Sequence, residues 1–150
     1  MTTVTVSSQI DAPVERVFEL FSDVEHATKH VSGIKGIEML TPGPFGPGKR
    51  WRETREVLGR LDSADMEVTA FERNRGYTIT HHKAGSRIDA VFGFQPLDRG
   101  TKVTIEFTLD GEGLAAKLLS PIAWAVSGRI QDVLSHDLAD LKNSAEREIA

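Results

Sequence analysis

The sequence predicts an α+β fold in which a seven-stranded antiparallel sheet curves around one long C-terminal helix. Two observations support this prediction. Apolar and polar residues alternate through most of residues 34–110, as they do in strands that cover a core with one face. The apolar spacing changes to that of a helix after Gly113, where the last long segment of the chain begins.

One strand and two short helices are predicted before the main part of the sheet. Alternate apolar or small positions predict a strand over residues 2–10. Asp11 and Pro13 mark the start of a helix whose apolar residues recur at helical spacing. These apolar residues are Val14, Val17, Phe18 and Phe21. Asp23 is placed to cap a second short helix, which is expected to end at Ser32–Gly33.

Six further strands are predicted between residues 34 and 110, with turns rich in glycine, proline, asparagine or aspartate between them. They are IKGIEML, a segment from Lys49 to Val57, LDSADMEVTAFE, YTITHH, RIDAVFGFQPL and KVTIEFTLD. The last two strands each have one apolar and one mostly polar face, so one side of the sheet is expected to be covered. Their apolar residues are Ile88, Ala90, Phe92, Phe94, Val103, Ile105, Phe107 and Leu109.

The covering element is predicted from residues 114–149, in which apolar residues recur at helical spacing. These residues are Leu114, Leu118, Ile122, Val126, Ile130, Val133, Leu134, Leu138 and Leu141. Ser120–Pro121 is expected to kink or break this helix near its first turns. The resulting order of elements is a helix-grip arrangement. Because the sequence contains no internal repeat or linker, residues 1–150 are expected to form one domain.

Composition excludes several classes of function. A formal net charge of −4 without a cluster of lysine or arginine argues against nucleic-acid binding. The absence of cysteine excludes a disulfide framework and thiolate metal sites, and it is consistent with a reducing compartment. No apolar run is long enough to span a bilayer, and the first ten residues do not have the pattern of a signal peptide. We therefore expect a cytoplasmic monomer or homodimer without cofactor or stable membrane insertion.

The stretch GPGKRWRETREV, residues 46–57, predicts a strand that carries charge on both faces. One face carries Arg50, Arg52, Thr54 and Glu56, and the other carries Trp51, Glu53, Arg55 and Val57. We place the second set inward, because Trp51 and Val57 are then buried with the core. Glu53 and Arg55 would lie about 7 Å apart along this face. They are expected either to hold a carboxylate, phenol or carbonyl of a ligand or simply to pair with other charges, since buried charge requires a partner.

Four segments carry a resemblance to a known superfamily: IDAPVERVFELFSDVE (10–25), GPGKRWRE (46–53), FQPLDRGTKVTIEF (94–107) and LKNSAE (141–146). With the order of elements, they resemble the SRPBCC superfamily, which includes START-type lipid-binding domains, polyketide cyclase/dehydrase-like proteins and plant pathogenesis-related proteins. The resemblance covers essentially the whole chain and implies the helix-grip fold. It also implies a cavity between the sheet and the long helix, whereas function differs among members, of which only some are enzymes.

The predicted ligand-binding residues line this cavity. They are Trp51, Glu53, Arg55, Met66, Val68, Tyr77, His81, Phe92, Phe107, Ile122 and Val126. Met66, Val68 and Ala70 are expected to continue the inner face onto the next strand. Tyr77 and His81 share a strand face, which would allow an acid/base pair, although a histidine bonded to a backbone carbonyl is favoured.

Three other features are weaker candidates. His26 and His30 have a spacing that can bind a metal, but the sequence anchors no third ligand, so a solvated helix face is preferred and no metal site is predicted. TPGPFGPG, residues 41–48, is predicted to form a mobile loop that gates the cavity mouth. Trp124 lies off the apolar stripe of the long helix and is expected at the pocket mouth or at a partner subunit.

Three functions remain open at this point. The first is a binding protein or carrier for a small hydrophobic molecule that is aromatic, polyketide or lipid-like. The second is a polyketide cyclase/dehydrase-type enzyme, in which Arg55 stabilises an enolate and His81 or Glu53 moves protons. This second function needs a titrating group with a shifted pKa in the pocket, whereas a carrier does not. The third is a protein–protein interaction module, which would have a filled cavity and an exposed apolar patch near Trp124 and Pro121.

Overall fold

The computed structural model describes residues 2–57, 59–83, 85–110 and 121–147, with side chains at all of these positions except 2, 57, 83 and 121–127. The strands are β1 Thr2–Ile10, β2 Ile34–Met39, β3 Arg50–Val57, β4 Arg60–Glu72, β5 Gly76–Lys83, β6 Ser86–Pro96 and β7 Thr101–Asp110. The helical elements are α1 Val14–Ser22, a 3₁₀ helix Val24–Lys29 and α2 Pro121–Arg147.

The seven strands form one antiparallel sheet in the order β1-β7-β6-β5-β4-β3-β2. The long helix α2 packs against β1 and α1, and the 3₁₀ helix packs against β2. This arrangement confirms the predicted α+β helix-grip fold with its two short helical segments after β1. Among the residues that the structure describes, no helix combines the length and the apolar character needed to cross a membrane.

The second short helix differs in detail from the prediction. It is a 3₁₀ helix that kinks at His26 and ends at Lys29. The side chain of Asp23 makes no capping hydrogen bond, and its carboxylate instead lies 2.9 Å from Nδ1 of His26. A carboxylate that pairs with the side chain of the first turn is not available to the backbone N–H groups, so the predicted cap is not formed.

The inner face of β4 also differs from the prediction. The register of β4 against β5 shifts between Val68 and Ala70, which is the signature of a β-bulge. The extra residue moves Ala70 to the exposed outer face, and Phe71 takes the inner position opposite Tyr77. The prediction that Ala70 continues the inner face is therefore wrong.

Aromatic side chains pack together on the inner face of the sheet next to α1. Phe18 packs edge-to-face against Tyr77 and Phe94, with ring centroids 5.8 and 5.1 Å apart. Tyr77 stacks on Phe92 at 4.7 Å. The remaining members of this aromatic cluster are Phe21, Phe45, Phe71 and Trp51. Because these rings are in mutual contact, they form one continuous packed core that ties α1 and the β2–β3 loop to the sheet.

The loop between β2 and β3 is fastened at two points. Lys49 is 8% exposed and donates from Nζ to the carbonyl oxygens of Thr41 at 2.8 Å and Gly43 at 2.6 Å. Phe45 inserts into the aromatic cluster, with its ring centroid 4.9 Å from that of Tyr77. The loop is thus tied to the packed core, and its predicted gating role stays a prediction.

Polar contacts fasten the C-terminal half of α2 to the first third of the chain. Asp140 accepts hydrogen bonds from the backbone N–H and the hydroxyl of Ser32, both at 3.0 Å. Glu146 accepts one from the backbone N–H of Asp11 at 2.9 Å. These contacts hold α2 in one rotation about its axis, and this rotation turns Asp137 toward the sheet.

Candidate functional site

Three side chains on the inner face of β3 form a connected polar row. Trp51 is 1% exposed, and its indole Nε1–H donates to Oε1 of Glu53 at 3.4 Å. Nε of Arg55 donates to Oε2 of the same carboxylate at 2.9 Å. Alternation along the strand places all three on one face. Glu53 and Arg55, which the sequence places close together, form a direct ion pair.

Arg55 also reaches α2 through a bidentate ion pair. Its Nη1 and Nη2 donate to the two carboxylate oxygens of Asp137 at 3.3 and 2.7 Å. The side chains of Glu53 and Asp137 are 11% and 13% exposed, and that of Arg55 is 26% exposed. Gly33 leaves room for this approach, because a Cβ at that position would lie 3.3 Å from Nη1. We call Glu53, Arg55 and Asp137 the charged cluster.

Burial and charge act on the cluster in opposite directions. Burial raises the pKa of Asp137 above its usual range, and the hydrogen bonds and attraction of Arg55 offset this only in part. Burial lowers the pKa of Arg55, but the carboxylates of Glu53 and Asp137 outweigh it, and the net pKa is raised. Arg55 therefore stays a cation, while Asp137 binds a proton more readily than an exposed aspartate.

The outer face of β3 carries a second set of charges that remains in solvent. Nε of Arg52 donates to Asp65 at 2.8 Å, and Nη1 lies 3.5 Å from Glu38. The side chain of Arg52 is 46% exposed. The charge on both faces of this strand thus has two explanations. Outer charges pair with neighbouring strands in water, whereas inner charges pair with each other and with α2.

A depression of about 440 Å³ opens beside the charged cluster, within the usual size range of small-molecule sites. It lies between the start of β2, the end of β3 and the middle of α2, and is lined by Ser32, Gly33, Lys35, Arg55, Glu56, Gly59, Val133, His136 and Asp137. Val133, which is 48% exposed, gives it an apolar wall. Arg55 and Asp137 can therefore be reached from solvent at this place.

Four predicted ligand-binding residues lie in or against the packed core. Val68 and Tyr77 are 1% and 4% exposed, and Met66 and Phe92 are half-buried. The hydroxyl of Tyr77 donates to the carbonyl oxygen of Phe21 at 3.2 Å. Burial and the nearby charge of Glu53 raise the pKa of Tyr77 well above its usual range. Tyr77 therefore keeps its proton and contributes an aromatic surface rather than an acid.

His81 lies half-buried on the inner face of β5, opposite Ile88 of β6. Four residues of strand separate it from Tyr77, which is about 13 Å. An acid/base pair of Tyr77 and His81 stays a prediction.

The remaining predicted residues lie on β7 and on the long helix. Phe107 is half-buried on β7, opposite Ala90 and Val4. The predicted contacts Ile122 and Val126 lie outside the described side chains. The same holds for Trp124, around which a protein–protein patch was expected.

The histidines of the 3₁₀ helix have separate partners. His26 pairs with Asp23, and Nδ1 of His30 lies 3.0 Å from Oγ of Ser144 on α2. Burial lowers the pKa of His30. Within the described residues, no three side chains of histidine, cysteine, aspartate or glutamate come together in a way that could hold a metal ion.

Asp137 is the member of the cluster that sequence reasoning did not single out. The sequence does indicate the position of Asp137, which lies three residues after Leu134 and four before Leu141. It therefore sits on the apolar face of the long helix. A carboxylate on such a face requires a partner, and Arg55 was already expected to face inward.

Comparison with known proteins identifies the family of this chain. A sequence profile described as "Polyketide cyclase / dehydrase and lipid transport" matches residues 1–146. The chain belongs to this family. The match confirms the resemblance to the SRPBCC superfamily. Comparison with curated protein sequences finds no match.

Solved structures share the fold over nearly the whole chain. TTHA0849 from Thermus thermophilus has a TM-score of 0.81 at 19% identity, covering 99% of this chain and 100% of its own. The Zhui aromatase/cyclase from a Streptomyces species has a TM-score of 0.77 at 17% identity, covering 99% and 96%. Ara h 8.0201 has a TM-score of 0.76 at 17% identity, covering 96% and 97%. At these identities the likeness shows the fold alone.

Proposed function

We propose that this protein binds a small hydrophobic molecule, aromatic, polyketide or lipid-like, between the sheet and α2. A polar group of that molecule contacts the charged cluster. The observation that carries this proposal is a largely buried arginine in the wall of a depression of about 440 Å³. The family description, which names polyketide and lipid chemistry, supports the same class of ligand.

The cluster restricts the chemistry of the ligand's polar group. Arg55 uses three of its five N–H groups on Glu53 and Asp137, and the others are able to donate to an incoming oxygen. Two carboxylates already outnumber the single positive charge of Arg55, so a third carboxylate on the ligand would be repelled. We therefore assign to the ligand a neutral carbonyl or phenol oxygen at this position. Burial of its apolar frame supplies most of the affinity.

Native mass spectrometry of the purified protein, followed by organic extraction, tests this function first. A bound molecule with an apolar frame and a neutral oxygen supports the proposal and identifies the ligand class. Titration with 2-naphthol, a small apolar phenol, covers the case in which nothing co-purifies. An unliganded mass together with no saturable binding of 2-naphthol contradicts the proposal.

A matched pair of variants on β3 locates the site. Arg55→Met and Arg52→Met each remove a guanidinium that pairs with two carboxylates, one on the inner and one on the outer face. We expect Arg55→Met to weaken 2-naphthol binding about tenfold, and Arg52→Met to leave it unchanged. Calorimetric titration measures the affinities, and circular dichroism checks that both variants are folded. Equal affinities for both variants and the wild type would place the ligand elsewhere.

A cyclase or dehydratase activity is the second candidate function, and the raised pKa of Asp137 beside a cation favours it. Aldol ring closure removes a proton from a carbon next to a carbonyl, and the enolate attacks a second carbonyl before water is lost. Arg55 would stabilise the enolate oxygen, and Asp137 would accept the proton and return it to the departing hydroxyl. A carrier needs no such titrating group.

The conversion of heptane-2,4,6-trione into orcinol, which needs one aldol closure and loss of one water, tests the enzymatic function. An enzyme would accelerate it, and Asp137→Asn would slow it about a hundredfold or more, the usual contribution of a proton-transferring group. Binding of 2-naphthol to the same variant controls for loss of the site. A wild-type rate equal to the uncatalysed rate would leave the binding function alone.

A further inference from the structure

One buried hydroxyl on the inner face has no partner among the residues that the structure describes. Ser86 is 1% exposed, and its Oγ makes no hydrogen bond with any of them. A buried hydroxyl without a partner is unfavourable, because it loses its bonds to water and gains none in return. Native proteins therefore supply a partner in nearly every case, from the chain, from ordered water or from a ligand.

The other buried hydroxyls of the described chain are all bonded. Thr101 donates to the carbonyl oxygen of Ala12 at 2.8 Å, and Thr80 donates to Asp89 at 2.6 Å. Ser144 lies 3.0 Å from Nδ1 of His30. Ser86 is thus the exception in this part of the molecule, and its position needs an explanation.

Ser86 lies on the inner face of β6, at the end of the strand away from the aromatic cluster. It begins β6 and pairs with Lys83 of β5 at the β5–β6 turn. Ile88 and Phe94 follow at even spacing on the same face of β6, and both are buried. Ser86 therefore lies on the same inner face of the sheet as the β3 side chains of the charged cluster.

Glu53, Arg55 and Ser86 lie on the same inner face of the sheet, on β3 and β6. Three strand spacings separate β3 from β6 in the sheet, which is about 14 Å between backbones. Glu53 and Arg55 reach in from one side with long side chains, and Ser86 reaches in from the other with a short one. A frame of two or three fused rings is long enough to extend from one to the other.

We propose that Oγ of Ser86 hydrogen-bonds an oxygen of the bound molecule, at the end opposite the oxygen that contacts Arg55. This inference rests on the proposed binding function and makes it more specific. The ligand carries oxygens at both ends of an apolar, ring-containing frame. Ser86 then selects for the second oxygen, because a ligand without it leaves the hydroxyl without a partner.

Two probes that differ by one hydroxyl test this selection. Calorimetric titration compares naphthalene-2,6-diol with 2-naphthol on the wild type, Ser86→Ala, Ser86→Thr and the control Ser63→Ala. Ser63 is an exposed serine on the outer face of β4, bonded to Thr54 at 2.7 Å. We expect the wild type to prefer the diol about tenfold. Ser86→Ala should lose this preference, while Ser86→Thr, which retains a hydroxyl, and Ser63→Ala should keep it.

The possible outcomes separate this inference from the proposed function. A diol preference that survives Ser86→Ala overturns the inference and leaves the function standing, because both probes still bind. Equal affinity of the wild type for the two probes also overturns the inference and leaves the function standing. If neither probe binds the wild type saturably, the proposed function fails and the inference fails with it. Without ligand, the melting temperature of Ser86→Ala should not fall; a clear fall would show a partner for the hydroxyl within the protein and overturn the inference.

Discussion

Removal of the guanidinium of Arg55 should leave two buried carboxylates without a counter-charge. Arg55→Met keeps an apolar stem of similar length, whereas Glu53 and Asp137, at 11% and 13% exposure, lose their shared cation. Removing one partner of a buried ion pair destabilises a protein by about 3–5 kcal/mol. For a chain of this size that corresponds to a fall in melting temperature of about 10 °C.

The stability lost in Arg55→Met should depend on pH. The pKa of Asp137 determines whether this loss grows or shrinks as the pH falls. Burial raises the pKa of Asp137 even in the presence of Arg55, and Arg55 is the group that lowers it, so its removal raises the pKa further. A carboxyl whose pKa is raised on folding contributes stability below its unfolded pKa, and this contribution is lost as the pH rises through the folded pKa. The deficit of Arg55→Met should therefore be largest at neutral pH and shrink toward the usual aspartate range of about 4.

Urea unfolding followed by circular dichroism at several pH values measures this deficit. Arg52→Met is the control on the outer face and should stay close to the wild type at each pH. The triple variant Glu53→Gln, Arg55→Met, Asp137→Asn should regain much of the lost stability, because it buries no uncompensated charge. The reasoning is refuted if Arg55→Met is as stable as Arg52→Met at pH 7, or if its deficit grows as the pH falls.

Three further changes test the packing around the site. Tyr77→Phe removes the hydrogen bond to the carbonyl of Phe21, so thermal unfolding should show a free energy of unfolding lower by about 1 kcal/mol, with 2-naphthol affinity unchanged. Weaker binding would show that the hydroxyl contacts the ligand. Lys49→Met removes both bonds that fasten the β2–β3 loop, and backbone amides there should exchange hydrogen faster; unchanged exchange would mean that other contacts hold the loop. Gly100→Ala should lower the melting temperature sharply, because φ is +87° and the new Cβ would meet the carbonyl oxygen of Ile10; a near-native melting temperature would contradict this.

The sheet was predictable where the alternation of apolar and polar residues is uninterrupted. Ile88 faces Leu109 and Phe92 faces Ile105 across β6 and β7, as the two apolar faces indicate. The prediction failed in β4, where a bulge shifts the alternation before Ala70. Alanine is small enough for either face of a sheet, so the local pattern contains no sign of the bulge.

The charged cluster was predictable only in part. The alternation of β3 places Glu53 and Arg55 on one face, but Asp137 lies 82 residues away from Arg55 in the chain. Whether the two meet depends on the rotation of α2 over the sheet. Distant contacts such as that between Ser32 and Asp140 help to set this rotation, and no local pattern reports them.

The partners of the inward side chains were also beyond sequence reasoning. Periodicity assigns a residue to the inner face without saying what lies opposite. Tyr77 and His81 share a face, yet the first is enclosed by aromatic rings and bonded to Phe21, and the second lies near the far end of β5. The rings that contact Tyr77 come from α1, the β2–β3 loop and β6, so they meet only in the folded chain.

NMR titration with 2-naphthol tests the central claim most directly, with the indole N–H of Trp51 as the reporter. This N–H donates to Glu53 and therefore senses the charged cluster, and a Trp51→Phe variant assigns its signal. We predict a saturable shift of this signal, with the same affinity that calorimetry gives, and no shift at the outer-face residue Arg52. Saturable binding that leaves the Trp51 signal in place would contradict a ligand site at the charged cluster.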